Sequence, residues 1–359
     1  MEVPPGFSDH VFRSSSGTDL GVRVWPADPP VSDPAPFVVW THGGGWLGGY
    51  HFVPLPWMVP GWRQRGYHLV SHNYRLGPQT RLDDQLADSL EAVAWCRANL
   101  QSILGPSAVD VNRYVLCGES AGGHLVTLMA LHLPDPQPRA VVDVYGLVDF
   151  LAFKVLGAPP QDDTTAGLAP WDGEFSEEEL EAFLGDRDPA KILTDALPWA
   201  VTDVSEDELS RRWGTDFRFS RRIRLQTEAH MYRSLRRKGT GLLKAVMHPE
   251  KFATEEELAA FVHSMSPLRV LQDEAAKGRK TYPPTAFLHG SGDMDVPIEQ
   301  SYALAAKLKE MGVPVIERYE DGEPHVFDQK YTSPEVPGWD TTIQPILEFV
   351  DKHTGHNVV

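Results

Sequence analysis

The sequence predicts an α/β fold, with a mostly parallel central sheet flanked by helices and interrupted by one large helix-rich insertion. Three observations predict it. Short apolar runs with β-branched residues, bounded by Gly and Pro, recur in the first 150 and last 80 residues. Amphipathic helical patterns lie between them, the alternation expected of a parallel sheet covered on both faces. Over 151–280 the rhythm stops and the chain reads as helices with few strand-like runs. Residues 1–150 and 281–359 are therefore expected to form the core, and 151–280 a cap over the C-terminal ends of the strands, because so long an interruption is too large for a loop.

Strands are expected at 21–25, 37–40, 68–73, 114–117, 140–145, 285–288 and 315–319. Leu82, Leu86, Leu90, Val93, Cys96 and Leu100 recur at steps of three and four and mark one helix face. Residues 121–132 are helical in pattern and stop before Leu133-Pro134. Pro297 opens another helix at its first turn, and 343–350 forms a closing one. The insertion carries two acidic triplets, Glu177-Glu178-Glu179 and Glu255-Glu256-Glu257.

Composition narrows the partners. The 359 residues are 42% hydrophobic, enough for a buried core, and the net charge of −17 disfavours nucleic acid and anionic membrane surfaces. Two cysteines, Cys96 and Cys117, make neither a disulfide framework nor a CxxC site. No run of 18 apolar residues and no signal-peptide pattern is visible, so a cytoplasmic protein without a membrane span is expected. Homodimerisation is left open.

Two glycine motifs carry chemistry. Gly118-Glu119-Ser120-Ala121-Gly122-Gly123 sits between a strand and a helix, the setting in which a tight turn lifts a serine hydroxyl above the sheet. His42-Gly43-Gly44-Gly45-Trp46 follows the 37–40 strand. Its glycines let backbone N–H groups approach a substrate and hold the negative oxygen of a tetrahedral intermediate, with Gly43, Gly44 and Ala121 as the expected donors. A serine hydroxyl needs a base, and the base an orienting acid. Asp293 and Asp295 share the loop after the 285–288 strand, with Asp293 preferred. His325 follows the 315–319 strand and alone among 14 histidines combines the right order with the right loop.

Other positions have two readings. Trp46, Tyr50, His51 and Trp57 follow the glycine loop, Glu119 flanks the serine and His124 lies one turn along the elbow helix. Each either lines a substrate pocket or packs the core. His42 reads as structural, and Arg75 and Asp88 as a buried ion pair. No metal or cofactor is expected. His68 and His72 lie roughly 13 Å apart along a strand. Gly43, Gly45 and Gly48 formally match a dinucleotide fingerprint, but Pro54 and Pro56 oppose the helix it must open.

Together, His42-Gly43-Gly44-Gly45-Trp46, Tyr74-Arg75-Leu76, the 118–124 elbow and the Asp293 and His325 loops resemble the hormone-sensitive-lipase-like branch of the α/β-hydrolase fold. The resemblance covers roughly 36–147 and 283–327. It implies a carboxylesterase that acylates Ser120, an Asp293–His325 pair that activates the serine, an oxyanion hole of Gly43, Gly44 and Ala121, and a small-molecule ester as partner. Acyl transfer, lactone or amide hydrolysis, or a cyclisation or lyase step are the alternatives for the same triad, and a non-catalytic small-molecule receptor a third. Two features depart from the family: almost no N-terminal cap, and about 130 residues after Phe150.

Overall fold

The computed structural model describes residues 2–30, 33–152, 171–197, 204–236, 240–279 and 281–356. Eight strands form one sheet: β1 (Ser8–Arg13), β2 (Asp19–Trp25), β3 (Ala35–Thr41), β4 (His68–His72), β5 (Val109–Glu119), β6 (Ala140–Val144), β7 (Thr285–Gly290) and β8 (Val315–Glu320). Their order is β1-β2-β4-β3-β5-β6-β7-β8. β1 pairs with β2, and β2 with β4, antiparallel; every later neighbour is parallel. The fold is thus the mostly parallel α/β-hydrolase sheet that the sequence predicts.

The period of two along each strand divides the core between two faces. Phe37 and Val39 of β3 pack in one apolar cluster with Leu86, Val93, Leu125 and Leu304. Val38 and Trp40 point into the other, with Trp57, Trp62, Leu69, Ile346 and Val350. Helices α2 (Leu82–Leu104) and α3 (Ala121–His132) cover the first face, and α1 (Met58–Arg63) the second. Each buried Val, Leu or Ile contributes about 1.5–3 kcal/mol relative to exposure. Two elements escape the sequence reading. β1 is an edge strand with alternate residues exposed, and α1 is one turn and a half containing Pro60 and Gly61, so neither makes an apolar pattern.

The insertion carries α4 (Glu177–Leu184), α5 (Glu206–Trp213), α6 (Arg221–Arg236), α7 (Thr240–Met247), α8 (Glu255–Ser264) and α9 (Pro267–Ala276). The acidic triplets are the first turns of α4 and α8. Ser176 and Thr254 cap these turns by accepting the backbone N–H of Glu179 and Glu257, which puts negative charge at the positive end of each helix dipole. At the expected cap boundary near 280, α9 packs on both sides, against the cap helix α8 and against the core. α9 packs on α3 and on α10 (Glu299–Glu310), and its start is tied to the core by Leu268 N–H to Val148 O at 3.0 Å and Phe150 N–H to Ser266 Oγ at 3.2 Å. α9 therefore joins the cap helix α8 to the core. Short α11 (Trp339–Thr342) and α12 (Gln344–Thr354) close the chain.

The cap is fastened to loops at the C-terminal edge of the sheet. Gly49 and Ala196 exchange two backbone hydrogen bonds of 2.6 and 2.9 Å, and Asp195 accepts from Asn73 at 2.8 Å. The buried guanidinium of Arg23 donates to the carbonyls of Trp213 and Gly214 at the C-terminus of α5 and pairs with Asp9. Among the described residues, no helix is long and apolar enough to cross a membrane.

Candidate active site

β5 ends at Glu119 and α3 begins at Ala121, so a single residue makes the turn. Ser120 makes it with φ 54° and ψ −117°, a left-handed conformation that a side chain rarely adopts. The turn is held by Ser120 N–H to Val144 O at 2.8 Å and His124 N–H to Ser120 O at 3.0 Å. Gly122 passes so close to the Thr41 carbonyl that a Cβ there would collide with it.

The hydroxyl meets an imidazole. His325 Nε2 lies 3.0 Å from Ser120 Oγ, and His325 Nδ1 lies 2.6 Å from Asp293 Oδ2. With the Nδ1 proton donated to the carboxylate, Nε2 is left to accept from the serine. Asp293 is buried, whereas its rival Asp295 is exposed. Burial opposes the charge on Asp293. Hydrogen bonds from His289, His325 and the backbone N–H of Val296 outweigh it and hold the carboxyl well below the usual carboxylate range.

His289, in β7 one residue before its end, supports the acid. Its Nε2 donates to Val296 O at 2.9 Å and approaches Asp293 Oδ2 at 3.2 Å, while Nδ1 accepts from Ser301 Oγ at 2.7 Å. A histidine closing the strand just before the acid loop is the signal that points to it.

The glycine loop lies against the serine. A Cβ on Gly43 would stand 3.1 Å from Ser120 Cβ and 2.8 Å from Glu119 O. One expected donor is nevertheless misassigned. Gly43 N–H donates to Glu119 Oε1 at 2.8 Å, so it is not free to bind an oxyanion. Among the described residues, the N–H groups of Gly44, Gly45 and Ala121 donate to no protein acceptor. Gly44 has φ +103°, and a Cβ there would meet Gly48 C and O at 2.5 Å, so the loop's turn demands glycine.

Five of the six residues considered for the pocket are buried, His51 being the exception, and all six are engaged with protein partners, Trp57 through Asp328 Oδ2 at 2.7 Å. Glu119 also accepts from Trp40 Nε1 at 2.5 Å, and burial pushes its carboxyl up to about 8. His124 accepts from Trp46 Nε1 at 3.2 Å and donates to Met265 O at 2.7 Å, joining the elbow helix to the end of the cap. Tyr50 stacks between Phe52 and Trp213, with centroids at 4.9 and 5.5 Å. His51 pairs with Asp195 at 3.2 Å. These contacts give all six a packing or tethering role. Arg75 and Asp88 form the expected buried pair, bidentate at 2.8 and 2.9 Å. A cavity of about 600 Å³ lined by Pro4, Pro5, Leu55, Pro56 and Val59 includes none of the triad residues.

Comparison with known proteins agrees with this architecture. The alpha/beta hydrolase fold family matches residues 38–189, and the prolyl oligopeptidase family matches 246–356. A non-reducing polyketide synthase of Preussia isomera, Preu6, is 27% identical over 353 residues. These cover 94% of this chain and 14% of that protein. Esterase LipC of Mycobacterium tuberculosis is 31% identical over 139 residues, 35% of this chain and 34% of LipC. The chain thus spans about a seventh of the synthase and aligns with about a third of LipC. Among solved structures, an arylesterase superposes with a TM-score of 0.55 at 17% identity, covering 99% of this chain and 86% of that one.

Proposed function

We propose that this chain, which is similar to the hormone-sensitive-lipase-like α/β-hydrolases, cleaves a carboxylic ester through an acyl-enzyme on Ser120. The observation that carries this reading is the continuous hydrogen-bonded chain from Ser120 Oγ to His325 to Asp293. Ser120 Oγ attacks the carbonyl carbon while His325 Nε2 takes its proton. Gly44, Gly45 and Ala121 donate to the oxygen that becomes negative, each such donor being worth roughly 3–4 kcal/mol in other enzymes. His325 returns the proton to the leaving alcohol, and a water activated by the same imidazole releases the acid.

A second reading keeps the acyl-enzyme but gives the acyl group to an alcohol or another nucleophile instead of water. What favours it is the match to polyketide synthases, which runs through the cap, whereas the match to LipC covers about a third of the chain.

One experiment tests both. Ser120→Ala should lower turnover of p-nitrophenyl acetate by at least about 10⁴-fold while the far-UV spectrum is unchanged, and an alkyl phosphonate should label the wild-type serine stoichiometrically. A variant that retains a tenth of wild-type activity sinks the proposal. Added alcohols that convert most of the product from acid to ester select the second reading.

A further inference from the structure

We propose that Asp328 is a positioning residue for His325, its buried negative charge, held by Tyr145 and Trp57, favouring the imidazolium that forms when His325 takes the proton of Ser120. The inference rests on the acyl-enzyme reading above.

Asp328 lies three residues after the base, in the 3-10 turn Phe327–Lys330, and is fully buried. Its Oδ2 accepts from Trp57 Nε1 at 2.7 Å, and its Oδ1 accepts from Tyr145 Oη at 2.8 Å. An indole N–H can only donate, so the carboxyl group must accept at that side. Tyr145 immediately follows β6 with φ +43°, fully buried, and its ring centroid stands 4.5 Å from that of His325. Three segments therefore converge on one carboxylate: the chain after the glycine loop, the end of β6 and the loop carrying the base.

The charge has no resting counter-ion. Among the described residues Asp328 forms no ion pair, and Lys330 on the same turn pairs with Glu323. The titratable groups around it are Cys117 and Glu119 on β5, Tyr145 just after β6 and His325 on its own loop, while His325 itself faces Asp293 and Asp295, with His289 behind Asp293. Of the groups around Asp328, only His325 can become positive. Burial pushes the Asp328 carboxyl up, against the hydrogen bonds from Trp57 and Tyr145 that favour its ionised form. A buried carboxylate without a cation is costly. The cost falls when a positive charge forms on the adjacent imidazole, so the interaction is stronger in the transition state than in the resting enzyme. The proton moves only from Ser120 Oγ to His325 Nε2. The Nδ1 proton stays toward Asp293, and Asp328 takes none.

Asp328→Asn removes the charge but keeps the shape. Its amide oxygen can still accept from Trp57, and its NH₂ can donate to Tyr145 Oη. The expected result, with p-nitrophenyl acetate as substrate, is a fall in kcat of about tenfold with KM changed by less than about twofold. The acid limb of the kcat/KM profile should move to lower pH by about one unit, since losing a nearby negative charge makes the base harder to protonate. Tyr145→Phe keeps the ring on His325 but deletes the hydroxyl donor. Without that donor the buried carboxyl, already pushed up by burial, takes a proton more readily and loses its charge, so the limb should move in the same direction, and this variant carries the test if Asp328→Asn does not fold. A limb that stays within about 0.2 pH unit of wild type overturns the inference, whatever happens to kcat, because a merely structural role lowers the plateau without moving the limb. A wild-type enzyme with no phosphonate-labelled Ser120 overturns the acyl-enzyme reading itself, and this inference with it.

Discussion

The sheet edge that carries Ser120, Asp293 and His325 and the cap fastened to it are held by opposite means. At the edge, the polar groups of the triad are committed to one another and to the backbone, and the acid is buried. Asp293 alone accepts from the imidazole of His325 and from the N–H groups of Asp295 and Val296. In the cap, most charged contacts are exposed pairs on single helices or between neighbours, such as Arg211 and Arg212 with Glu208 and Arg224 with Glu174. Its attachment is spread over many points, among them Arg23, the Gly49–Ala196 bridge, Asp195, and the buried Gln226 and His248 side chains, which hydrogen-bond the carbonyls of Leu47, Gly77 and Pro78. The difference separates two tasks. Chemistry needs atoms fixed to within a few tenths of an ångström, while a cover needs only to be attached. Substitutions should therefore act very unequally in the two regions.

The largest effect is expected at the edge. Asp293→Asn presents an amide N–H or a weaker acceptor to His325 Nδ1 and lets the ring settle in the wrong tautomer. kcat for p-nitrophenyl acetate should fall by about 10⁴-fold with KM little changed. A loss below tenfold would mean that Asp295, whose carboxylate lies within 4.8 Å of the ligand atoms of Asp293 and His325, takes over as the orienting acid.

The same inequality governs what could be read from the sequence. Ser120 and the 42–46 loop are legible because they demand unusual backbone, and only particular residues tolerate it: a left-handed turn between small neighbours, and a glycine at φ +103°. His325 and Asp293 are legible because strand order fixes which loops reach the serine. The choice of oxyanion donors is not. Gly43 and Gly45 look alike in a row of three glycines, and the difference is made by the Glu119 side chain, 76 residues away, capturing one N–H. The allegiance of α9 is equally hidden, because its helical pattern is the same whether it packs on the cap or on α3. Asp195 and Asp328 are single acids in unremarkable segments, and only tertiary contact gives them partners.

An intermediate effect is expected where the two regions meet. Asp195 receives Asn73 Nδ2 at 2.8 Å and pairs with His51, and these partners with the Ser120 helix contacts frame the loop that follows Gly44 and Gly45. Its carboxyl is held below the usual range: burial opposes the charge, and the His51 hydrogen bond and nearby histidines outweigh it. Asp195→Ala leaves the buried Asn73 amide without its acceptor, which costs about 1–3 kcal/mol and should lower the urea midpoint. Proteolytic nicking should appear first within 171–265, where the cap has lost a fastening. An unchanged midpoint would show that the remaining fastenings, among them the Gly49–Ala196 bridge, Arg23 and Gln226, hold the cap without Asp195.

The smallest effect is expected on the cap surface. Arg218 pairs with Asp207 at 2.6 Å and with Asp216 at 2.8 Å, yet all three side chains are more than half exposed. Water solvates such charges almost as well as their partners do, and ordering long side chains cancels most of what remains. Arg218→Ala should therefore change neither the thermal midpoint nor kcat/KM measurably, and added salt should not alter that result. The short distances carry no weight against this, since an exposed pair is replaced by water contacts at little cost. If the substitution lowers kcat/KM while the midpoint is unchanged, the arginine meets the substrate during turnover. The cap would then join the sheet edge as part of the chemistry, and the division between the two regions would fail at this position.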